Sequence, residues 1–162
     1  MKLHIALQLL PQKPDIIILT ETWLSSRISN PELRPQDYVI YRCDSVYENE
    51  IEVGGGVLVA VRSSIQSNII HTFDEDLEEI FVCVKSATKE LIIGCTYITC
   101  RVDSTAYLSH TSRIEEIFTQ HPNSKYLILG DYNLTNILWP DNKNSKLSQS
   151  GYVPPDLFLS AQ

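Results

Sequence analysis

The most regular feature of the chain is a series of short apolar runs separated by polar turns. Residues 16–20 form a continuous β-branched and apolar run, which predicts a central strand buried on both faces. Similar runs predict further strands at residues 38–41, 57–61, 68–70, 79–84, 91–98 and 125–129. Because the strands between residues 57 and 84 recur at roughly ten-residue spacing, we expect them to form an antiparallel meander.

Two other segments have the spacing of helices. Residues 3–10 place apolar side chains along one side of a short helix, which Pro11 and Pro14 would end. Residues 105–120 predict an amphipathic helix with Ser104 as its N-cap. The predicted apolar side of this helix consists of Leu108, Ile114, Ile117 and Phe118. A mixture of buried strands and intervening helices indicates the α/β class.

Composition and charge support one folded domain. The 162 residues are 43% hydrophobic and 20% charged, as in an ordinary globular domain. No apolar run approaches the roughly 18 residues that a membrane span needs, and the start of the chain does not resemble a signal peptide. We therefore expect a soluble intracellular protein without a membrane partner. The net charge of -7 argues against a broad basic face for nucleic acid.

The cysteines show no pattern of metal ligands. Cys43, Cys83, Cys95 and Cys100 have no Cys-x-x-Cys spacing, and they lie mostly within apolar strand-like runs. Buried free thiols are common in such runs. Reduced core cysteines are therefore predicted, and not a zinc site.

Two acidic residues come just after strongly apolar strands. Glu21 follows residues 16–20, and Asp131 follows residues 125–129. Strand ends are where sheets of this kind display catalytic groups. This carboxylate pair, with the nearby amide of Asn133, can hold one Mg²⁺ and orient a water, which suits phosphoester hydrolysis. Taken singly, Glu21 also fits a solvated strand end, and Gly-Asp-x-Asn also fits a common tight turn.

Several blocks of sequence, in a fixed order, carry a resemblance to a known family. Residues 14–24, PDIIILTETWL, resemble the "pDil-l-ETwL" block of the endonuclease/exonuclease/phosphatase superfamily, and residues 54–62, GGGVLVAVR, resemble its "GGGvaiavr" strand. Residues 94–98, GCTYI, are similar to "vYrPP", and residues 127–134, LILGDYNL, to "iilGDFN". Residues 137–139, ILW, resemble the "DIDW" of retroelement copies. The greatest similarity is to endonuclease domains of non-LTR retrotransposons (jockey-like mobile elements).

This resemblance implies a fold and an activity. The fold would be a four-layer α/β sandwich of the endonuclease/exonuclease/phosphatase (DNase I-like) type, incomplete, over residues 1–140, with residues 141–162 as a polar tail. The implied function is Mg²⁺-dependent nicking of DNA by a phosphodiesterase-type endonuclease, derived from a retrotransposon with a reverse transcriptase. The chain would act on DNA as a monomer or as part of a larger polyprotein, and in the nucleus if its target is chromosomal DNA.

The same resemblance implies roles for individual residues. Glu21 would coordinate Mg²⁺ or Mn²⁺, and Asp131 would help to activate or orient the attacking water. Asn133 and Tyr97, the latter in the place of the family's active-site Tyr, would contact the scissile phosphate and its developing charge. Arg101 follows the Tyr97 strand and fits either a phosphate contact or an exposed salt bridge.

The chain departs from the family pattern at both ends. The family begins with a strand that ends in an Asn beside the metal site, whereas no Asn precedes Asn30 here. It ends with a Ser-Asp-His block, whereas the last histidine here is His121. We therefore expect a domain truncated at both ends. Two alternatives stay open: a catalytically dead fragment, and a phosphatase of the same superfamily that acts on inositol phosphates or lipids.

Other polar groups are predicted to have no catalytic role. The acidic cluster within residues 74–79 is predicted to be a solvated turn. Residues 54–56 have no helix behind them and no lysine, which favours a flexible lead into a strand over a phosphate-binding loop. Ordinary surface or partly buried positions are predicted for His4, His71, His110 and His121.

Overall fold

Two β-sheets, one long helix and one short helix make up the computed structural model, which describes residues 12–33, 37–45, 54–74, 77–86, 88–99, 104–134 and 159–160. The elements in chain order are β1 (Ile16–Thr20), α1 (Asn30–Leu33), β2 (Tyr38–Cys43), β3 (Val57–Arg62), β4 (Ser67–Asp74), β5 (Leu77–Lys85), β6 (Glu90–Tyr97), α2 (Ser104–Gln120), β7 (Lys125–Asp131) and β8 (Leu159–Ser160). Sheet A is three-stranded, in the order β1-β3-β2. Sheet B is five-stranded, in the order β4-β5-β6-β7-β8.

Sheet A is built around β3, which pairs antiparallel with β1 on one side and β2 on the other. Residues 57–61 of β3 are all buried, as expected for a continuous apolar strand between two neighbours. β1 forms where it was predicted, but among the described strands it pairs with β3 alone, and of its side chains Ile17 is buried. The predicted packing on both faces is confirmed, because Ile16 and Ile18 pack against the inter-sheet cluster and Ile17 and Leu19 against a cluster on the other face. The predicted central position is not confirmed, since the described part of the chain gives β1 a neighbour on one side only.

Sheet B contains the predicted meander, formed by the antiparallel strands β4, β5 and β6. The prediction also included β3, and this part is wrong, because the chain crosses from sheet A to sheet B between Arg62 and Ser67. After β6 the chain passes through α2 and returns as β7, which is parallel to β6. A parallel neighbour requires a long crossover of this kind. β8 pairs with the other side of β7, also in parallel.

The core lies between the two sheets, where alternate residues of each strand face inward. Val57, Val59 and Val61 of β3 form one cluster with alternate apolar residues of β5 and β6. On the opposite face of β5, Phe81 and Cys83 belong to a second cluster that includes residues of α2. The described elements are therefore layered in the order α2, sheet B, sheet A. This arrangement agrees with the predicted α/β sandwich.

Helix α2 forms over the predicted residues, and its predicted apolar side is confirmed at Ile114 and Ile117, which pack in the second cluster, but wrong at Leu108. Leu108, predicted to face the core, is 64% exposed. The buried positions are Ala106, His110 and Ile117, which lie on one side of the helix because they are about one or two turns apart. Ile117 is thus correctly predicted. In the first half of the helix the buried positions are Ala106 and His110, which a search for large apolar residues does not find.

The described cysteines confirm the prediction of reduced core thiols. Cys43, Cys83 and Cys95 are buried and free. Burial raises the pKa of Cys43 to about 11 and that of Cys95 to about 12. Both thiols therefore stay protonated at neutral pH and are poor nucleophiles.

Several predictions fall outside the described residues. They concern the helix at residues 3–10, His4, Cys100, Arg101, the block at residues 137–139 and the boundary at residue 140. Within the described ranges, no helix is long and apolar enough to cross a membrane.

Candidate active site

Three polar residues meet at one edge of sheet B because neighbouring strands are in register there. Glu78 lies opposite Tyr97 across β5 and β6, and Tyr97 lies opposite Asp131 across β6 and β7. Glu78 and Tyr97 are each two residues from a side chain of the inter-sheet core, Ile80 and Cys95, so they occupy the face toward sheet A. The charges of Glu78 and Asp131 both act on the Tyr97 hydroxyl. Strand pairing therefore assembles this edge of the site.

Glu21 reaches the same place from sheet A. It directly follows β1, and the next residues stay bonded to the chain before β3: the Thr22 amide donates to Gly56 O (3.1 Å) and the Trp23 amide to Gly55 O (2.9 Å). Glu21 and Trp23 have φ angles of 52° and 55°, a left-handed region that few non-glycine residues adopt. Such strain persists only where surrounding contacts impose it, and it occurs often at functional sites.

The Glu21 carboxylate is held by hydrogen-bond donors. Its Oε2 atom accepts from the Gly55 amide (2.7 Å) and from the Trp23 indole (2.8 Å). The Tyr97 hydroxyl also donates to this carboxylate. Burial acts to raise the Glu21 pKa, but the hydrogen bonds from Tyr97, Gly55 and Trp23 outweigh it, so the pKa lies below its usual value. Glu21 is therefore an anion at neutral pH.

Gly55 and Gly56 direct consecutive amides at two different carboxylates. The Gly55 N–H donates to Glu21 at 2.7 Å, and the Gly56 N–H donates to Glu78 at 2.5 Å. Both glycines have positive φ angles, 73° and 83°, and a Cβ on Gly55 would lie 2.6 Å from Glu78 Oε2. Glycine is the residue that fits such a position. The segment leads into β3 as predicted, but Gly55 and Gly56 are buried and hydrogen-bonded, so the prediction of flexibility is wrong.

Glu78 belongs to the site, although the acidic cluster that contains it is predicted from the sequence to be a solvated turn. That prediction is wrong, because Glu78 and Glu79 lie inside β5, and Glu79 is fully buried. The Glu78 carboxylate accepts hydrogen bonds from the Gly56 amide and from the Ser45 hydroxyl. The alternation of side chains along a strand would have identified Glu78 from the sequence. Because Ile80 faces sheet A, Glu78 lies on that same face and Glu79 on the opposite one.

Asp131 and Asn133 are fixed by the loop that follows β7. The Asn133 amide donates to Asp131 Oδ1 (3.1 Å), and its side-chain Nδ2 donates to Ile98 O (2.9 Å). The Ile98 amide donates to Asp131 O (2.9 Å), which ties the loop to the end of β6. Gly130 passes so close to the Thr96 carbonyl that a Cβ there would clash with the backbone. This close approach accounts for the glycine of the Gly-Asp-x-Asn block.

The Tyr97 hydroxyl is a hydrogen-bond donor at neutral pH. Burial raises its pKa, and the hydrogen bond to Glu21 and the negative charges of Glu21, Asp131 and Glu78 raise it further. A hydroxyl that stays protonated among carboxylates donates a hydrogen bond and does not act as a base.

Comparison with known proteins identifies the family of this chain. A family model, the Endonuclease/Exonuclease/phosphatase family, matches residues 2–156. The chain belongs to this family. Members of the endonuclease/exonuclease/phosphatase family are generally hydrolytic nucleases or phosphatases. The comparison with curated proteins gave no significant match.

Solved structures of low sequence identity share the fold. The human Nocturnin catalytic domain with bound sulfate anion has a TM-score of 0.56 and 14% identity, covering 74% of this chain and 51% of that one. A humanized D. rerio TDP2 with 14 mutations has a TM-score of 0.55 and 17% identity, covering 83% of this chain and 54% of that one. D. rerio TDP2 complexed with single strand DNA product has a TM-score of 0.51 and 17% identity, covering 82% of this chain and 52% of that one. The chain thus spans about half the length of these structures. They confirm the DNase I-like α/β sandwich.

Most of the residues predicted for the site come together. Glu21, Tyr97 and Asp131 are close enough that the charges of both carboxylates act on the tyrosine hydroxyl. Asn133 lies on the same loop as Asp131 and is bonded to it. Arg101 lies outside the described residues, so its predicted phosphate contact stays a prediction.

The donor chemistry at this edge fits a hard divalent cation. Within the described part of the chain, no three His, Cys, Asp or Glu side chains are already arranged as a metal site. Mg²⁺, however, commonly takes only one or two carboxylates from a protein and keeps several waters. The ionised Glu21 carboxylate would hold such a cation, and the Asp131 carboxylate would act on a water molecule beside it. Asn133, whose Nδ2 is engaged by Ile98 O, leaves its amide oxygen as a further neutral ligand.

Proposed function

We propose that this chain is a Mg²⁺-dependent endonuclease domain that hydrolyses phosphodiester bonds and nicks DNA. The observation that supports this most directly is the convergence of Glu21, Glu78 and Asp131 on the Tyr97 hydroxyl, with Glu21 kept ionised by its donors. Like charges gathered at one point and held by neutral donors favour the binding of a divalent cation. Phosphoester hydrolysis is the chemistry that the family and this donor set have in common.

Each side chain has a distinct role in this proposal. Asp131, whose Oδ1 is oriented by the Asn133 amide, orients the attacking water and accepts its proton. Asn133 Nδ2 keeps a second hydrogen beyond the one that it donates to Ile98 O, and the Tyr97 hydroxyl would turn from Glu21 to the substrate. Both would then donate hydrogen bonds to phosphate oxygens as negative charge develops there. Glu21 holds the cation. A bound Mg²⁺ would supply Lewis-acid stabilisation of the same charge.

Structural relatives support DNA as the substrate. The D. rerio TDP2 structure is a complex with a single-strand DNA product, and the Nocturnin structure holds a sulfate anion. The sequence blocks similar to non-LTR retrotransposon endonucleases support an origin in an element that also encodes a reverse transcriptase. We propose that the chain acts on chromosomal DNA in the nucleus, as a monomer or as part of a polyprotein.

The test is nicking of supercoiled plasmid by the full chain, with and without Mg²⁺. The wild type should convert supercoiled to open-circular DNA in Mg²⁺ and not in chelator, whereas Glu21→Ala and Asp131→Ala should not. Glu116→Ala is the matched control, because Glu116 is an exposed carboxylate on α2 that pairs with Arg113 at 2.8 Å. Equal nicking by the wild type and by both site variants would refute the roles of Glu21 and Asp131.

One observation favours a second function, that of a phosphatase acting on inositol phosphates or lipid headgroups. The net charge of -7 gives no general attraction for a long polyanion, whereas a small phosphate ester needs only the site itself. Release of inorganic phosphate from inositol polyphosphates by the wild type, without nicking of plasmid, would support this function. Binding of Mg²⁺ without turnover of either substrate would instead indicate a catalytically dead fragment.

A further inference from the structure

A buried pair of ionisable side chains lies behind the candidate site, on the face of sheet B toward α2. Glu79 of β5 is fully buried, and His110 of α2 is 4% exposed. His110 Nδ1 lies 2.8 Å from Glu79 Oε2. Burying such groups is costly unless they are paired and hydrogen-bonded. An apolar residue at position 110 would pack against sheet B without the cost of burying an ionisable group. The presence of His110 there therefore needs an explanation other than packing.

His110 also contacts the loop that carries Asp131 and Asn133. Its Nε2 atom lies 3.1 Å from the Tyr132 hydroxyl, and the two rings pack with centroids 5.3 Å apart. Tyr107, about one turn earlier on α2, donates its hydroxyl to the Tyr132 carbonyl oxygen at 2.8 Å. Helix α2 therefore holds Tyr132 by both its side chain and its backbone.

The two nitrogens of the His110 ring face in opposite directions, one toward the sheet and one toward the loop. Nδ1 is hydrogen-bonded to the Glu79 carboxylate, and Nε2 is within hydrogen-bond distance of the Tyr132 hydroxyl. The contact with Glu79 fixes the orientation of the imidazole ring, and with it the position of Nε2. Glu79 therefore acts on Tyr132 through the ring of His110.

Other charged or titratable groups also face Glu79. Its Oε1 atom lies 3.9 Å from His71 Nε2 of β4 and 3.9 Å from Arg113 Nε of α2. Both groups lie nearest Oε1, whereas His110 contacts Oε2, and the Arg113 guanidinium helps to balance the charge of the carboxylate. His110 is what joins this buried carboxylate to Tyr132.

We propose that His110 is a positioning residue: anchored on Glu79, it holds Tyr132 and thereby fixes the adjacent Asp131 and Asn133. Its effect on catalysis rests on the proposed function of that site, whereas its effect on the loop does not. Asn133 has a φ of 46°, a strained conformation that needs outside contacts to persist. A displacement of about 1 Å at a catalytic group can slow a reaction about 10²-fold.

The kinetic test pairs each variant with a matched one beyond the C-terminal end of α2. His110→Ala and Tyr132→Phe are compared with His121→Ala and Tyr126→Phe, because the Tyr126 hydroxyl donates to His121 O (2.5 Å) well away from the site. In plasmid nicking by the full chain, His110→Ala should lower kcat about 10- to 100-fold with KM changed less than about twofold. Tyr132→Phe should lower kcat about 3- to 10-fold, and the controls should match the wild type.

The double variant distinguishes positioning from a general loss of stability. If His110 acts through the Tyr132 hydroxyl, His110→Ala with Tyr132→Phe should be no slower than His110→Ala alone, since the contact is already lost. If the fall in kcat of the double variant equals the product of the falls in the two single variants, the two residues act independently and the proposal is overturned. If His110→Ala does not fold, Tyr132→Phe, which keeps the ring, decides the outcome by its kcat against that of Tyr126→Phe.

A second measurement does not depend on turnover. The Asn133 amide donates to Asp131 Oδ1 at 3.1 Å, so its hydrogen exchange, followed by NMR, reports the order of the loop. Exchange should be faster in His110→Ala and Tyr132→Phe than in the wild type and the controls. Unchanged exchange would overturn the positioning role. A wild type that nicks no DNA would refute the proposed function and leave the exchange result to decide the role of His110.

Discussion

The two ends of sheet B both carry charged groups, but these groups have different partners at each end: neutral hydrogen-bond donors at one, and groups of opposite charge at the other. At the site end, Glu78 and Asp131 flank Tyr97, and the carboxylates accept hydrogen bonds from amides and hydroxyls. At the far end, Lys85 lies 3.7 Å from Glu90 across the same two strands, and both side chains are about 40% exposed. We call these two regions the carboxylate end and the paired end.

The paired end has the features of an ordinary solvated turn. Glu90 also lies 3.7 Å from His121 Nδ1 and accepts a hydrogen bond from Ser124 Oγ at 3.2 Å. A cavity of about 290 Å³ opens there, lined by Lys85, Ser86, Thr88, Lys89, Glu90, Asn123 and Ser124. Its charges are of both signs and close together. The cavity at the paired end is therefore weaker evidence of a catalytic site than the group of carboxylates at the carboxylate end.

The largest expected difference between the two ends is in catalysis. Asp131→Ala should reduce the rate of plasmid nicking about 10³-fold, because it removes the group that orients the water. Glu90→Ala, the matched carboxylate at the paired end, should leave the rate within about twofold. The rates are measured under single-turnover conditions in Mg²⁺. If Asp131→Ala and Glu90→Ala lowered the nicking rate by similar factors, the carboxylate end would have no special role in catalysis.

The next effect is on the backbone that holds the carboxylates. Gly55→Ala should lower the free energy of unfolding by about 1–3 kcal/mol, because φ is 73° there and the new Cβ would meet Glu78. It should also lower the nicking rate of the molecules that remain folded. Urea unfolding and nicking at a temperature where the variant is folded measure the two effects.

Gly94→Ala is the control for this substitution. Its Cβ would meet Phe81 and Ile128 in the core, 2.6 Å and 2.9 Å away, so it should destabilise the fold by a similar amount, about 1–3 kcal/mol. Because Gly94 lies away from the carboxylate end, the rate per folded molecule should be unchanged. Equal losses of this rate in both variants would show that Gly55 affects activity only through stability.

A smaller effect is expected in the pH dependence of stability. The Glu21 pKa is below its usual 4.5 in the folded chain, so the folded state favours the ionised form. Its stabilising contribution should be complete above about pH 4.5 and be lost as the pH falls through the folded-state pKa. The difference in unfolding free energy between the wild type and Glu21→Gln, measured in urea from about pH 7 to pH 3, should therefore shrink in acid. A difference that grows in acid would contradict the lowered pKa.

The smallest effect is expected at the paired end. Lys85→Ala removes an ion pair whose side chains are 42% and 40% exposed, and such pairs contribute less than about 1 kcal/mol. Urea unfolding should show a change within that limit, and plasmid nicking should show none. A larger loss of stability would mean that Lys85 has a structural role beyond its contact with Glu90.

The sequence predicted much of the local structure and most of the site. The strands formed where apolar runs predicted them, and the Gly-Asp-x-Asn block ended β7, because both depend on short-range backbone geometry. Glu21, Tyr97 and Asp131 were also correctly expected to be close, since strand ends collect at sheet edges. Errors in burial came where an apolar residue was assumed to be inside and a charged one outside, as with Leu108 and Glu79.

The period of two in β5 determined, without any tertiary information, that Glu78 and Glu79 point to opposite faces. Which face mattered was decided only by packing: sheet A lies on one side, so Glu78 joins the site, and α2 lies on the other, so Glu79 meets His110. Likewise, the glycines were evident in the sequence. That Gly55 and Gly56 link Glu21 to Glu78 depends on pairing between segments far apart in the chain, because register is set by strands that meet only in the folded state.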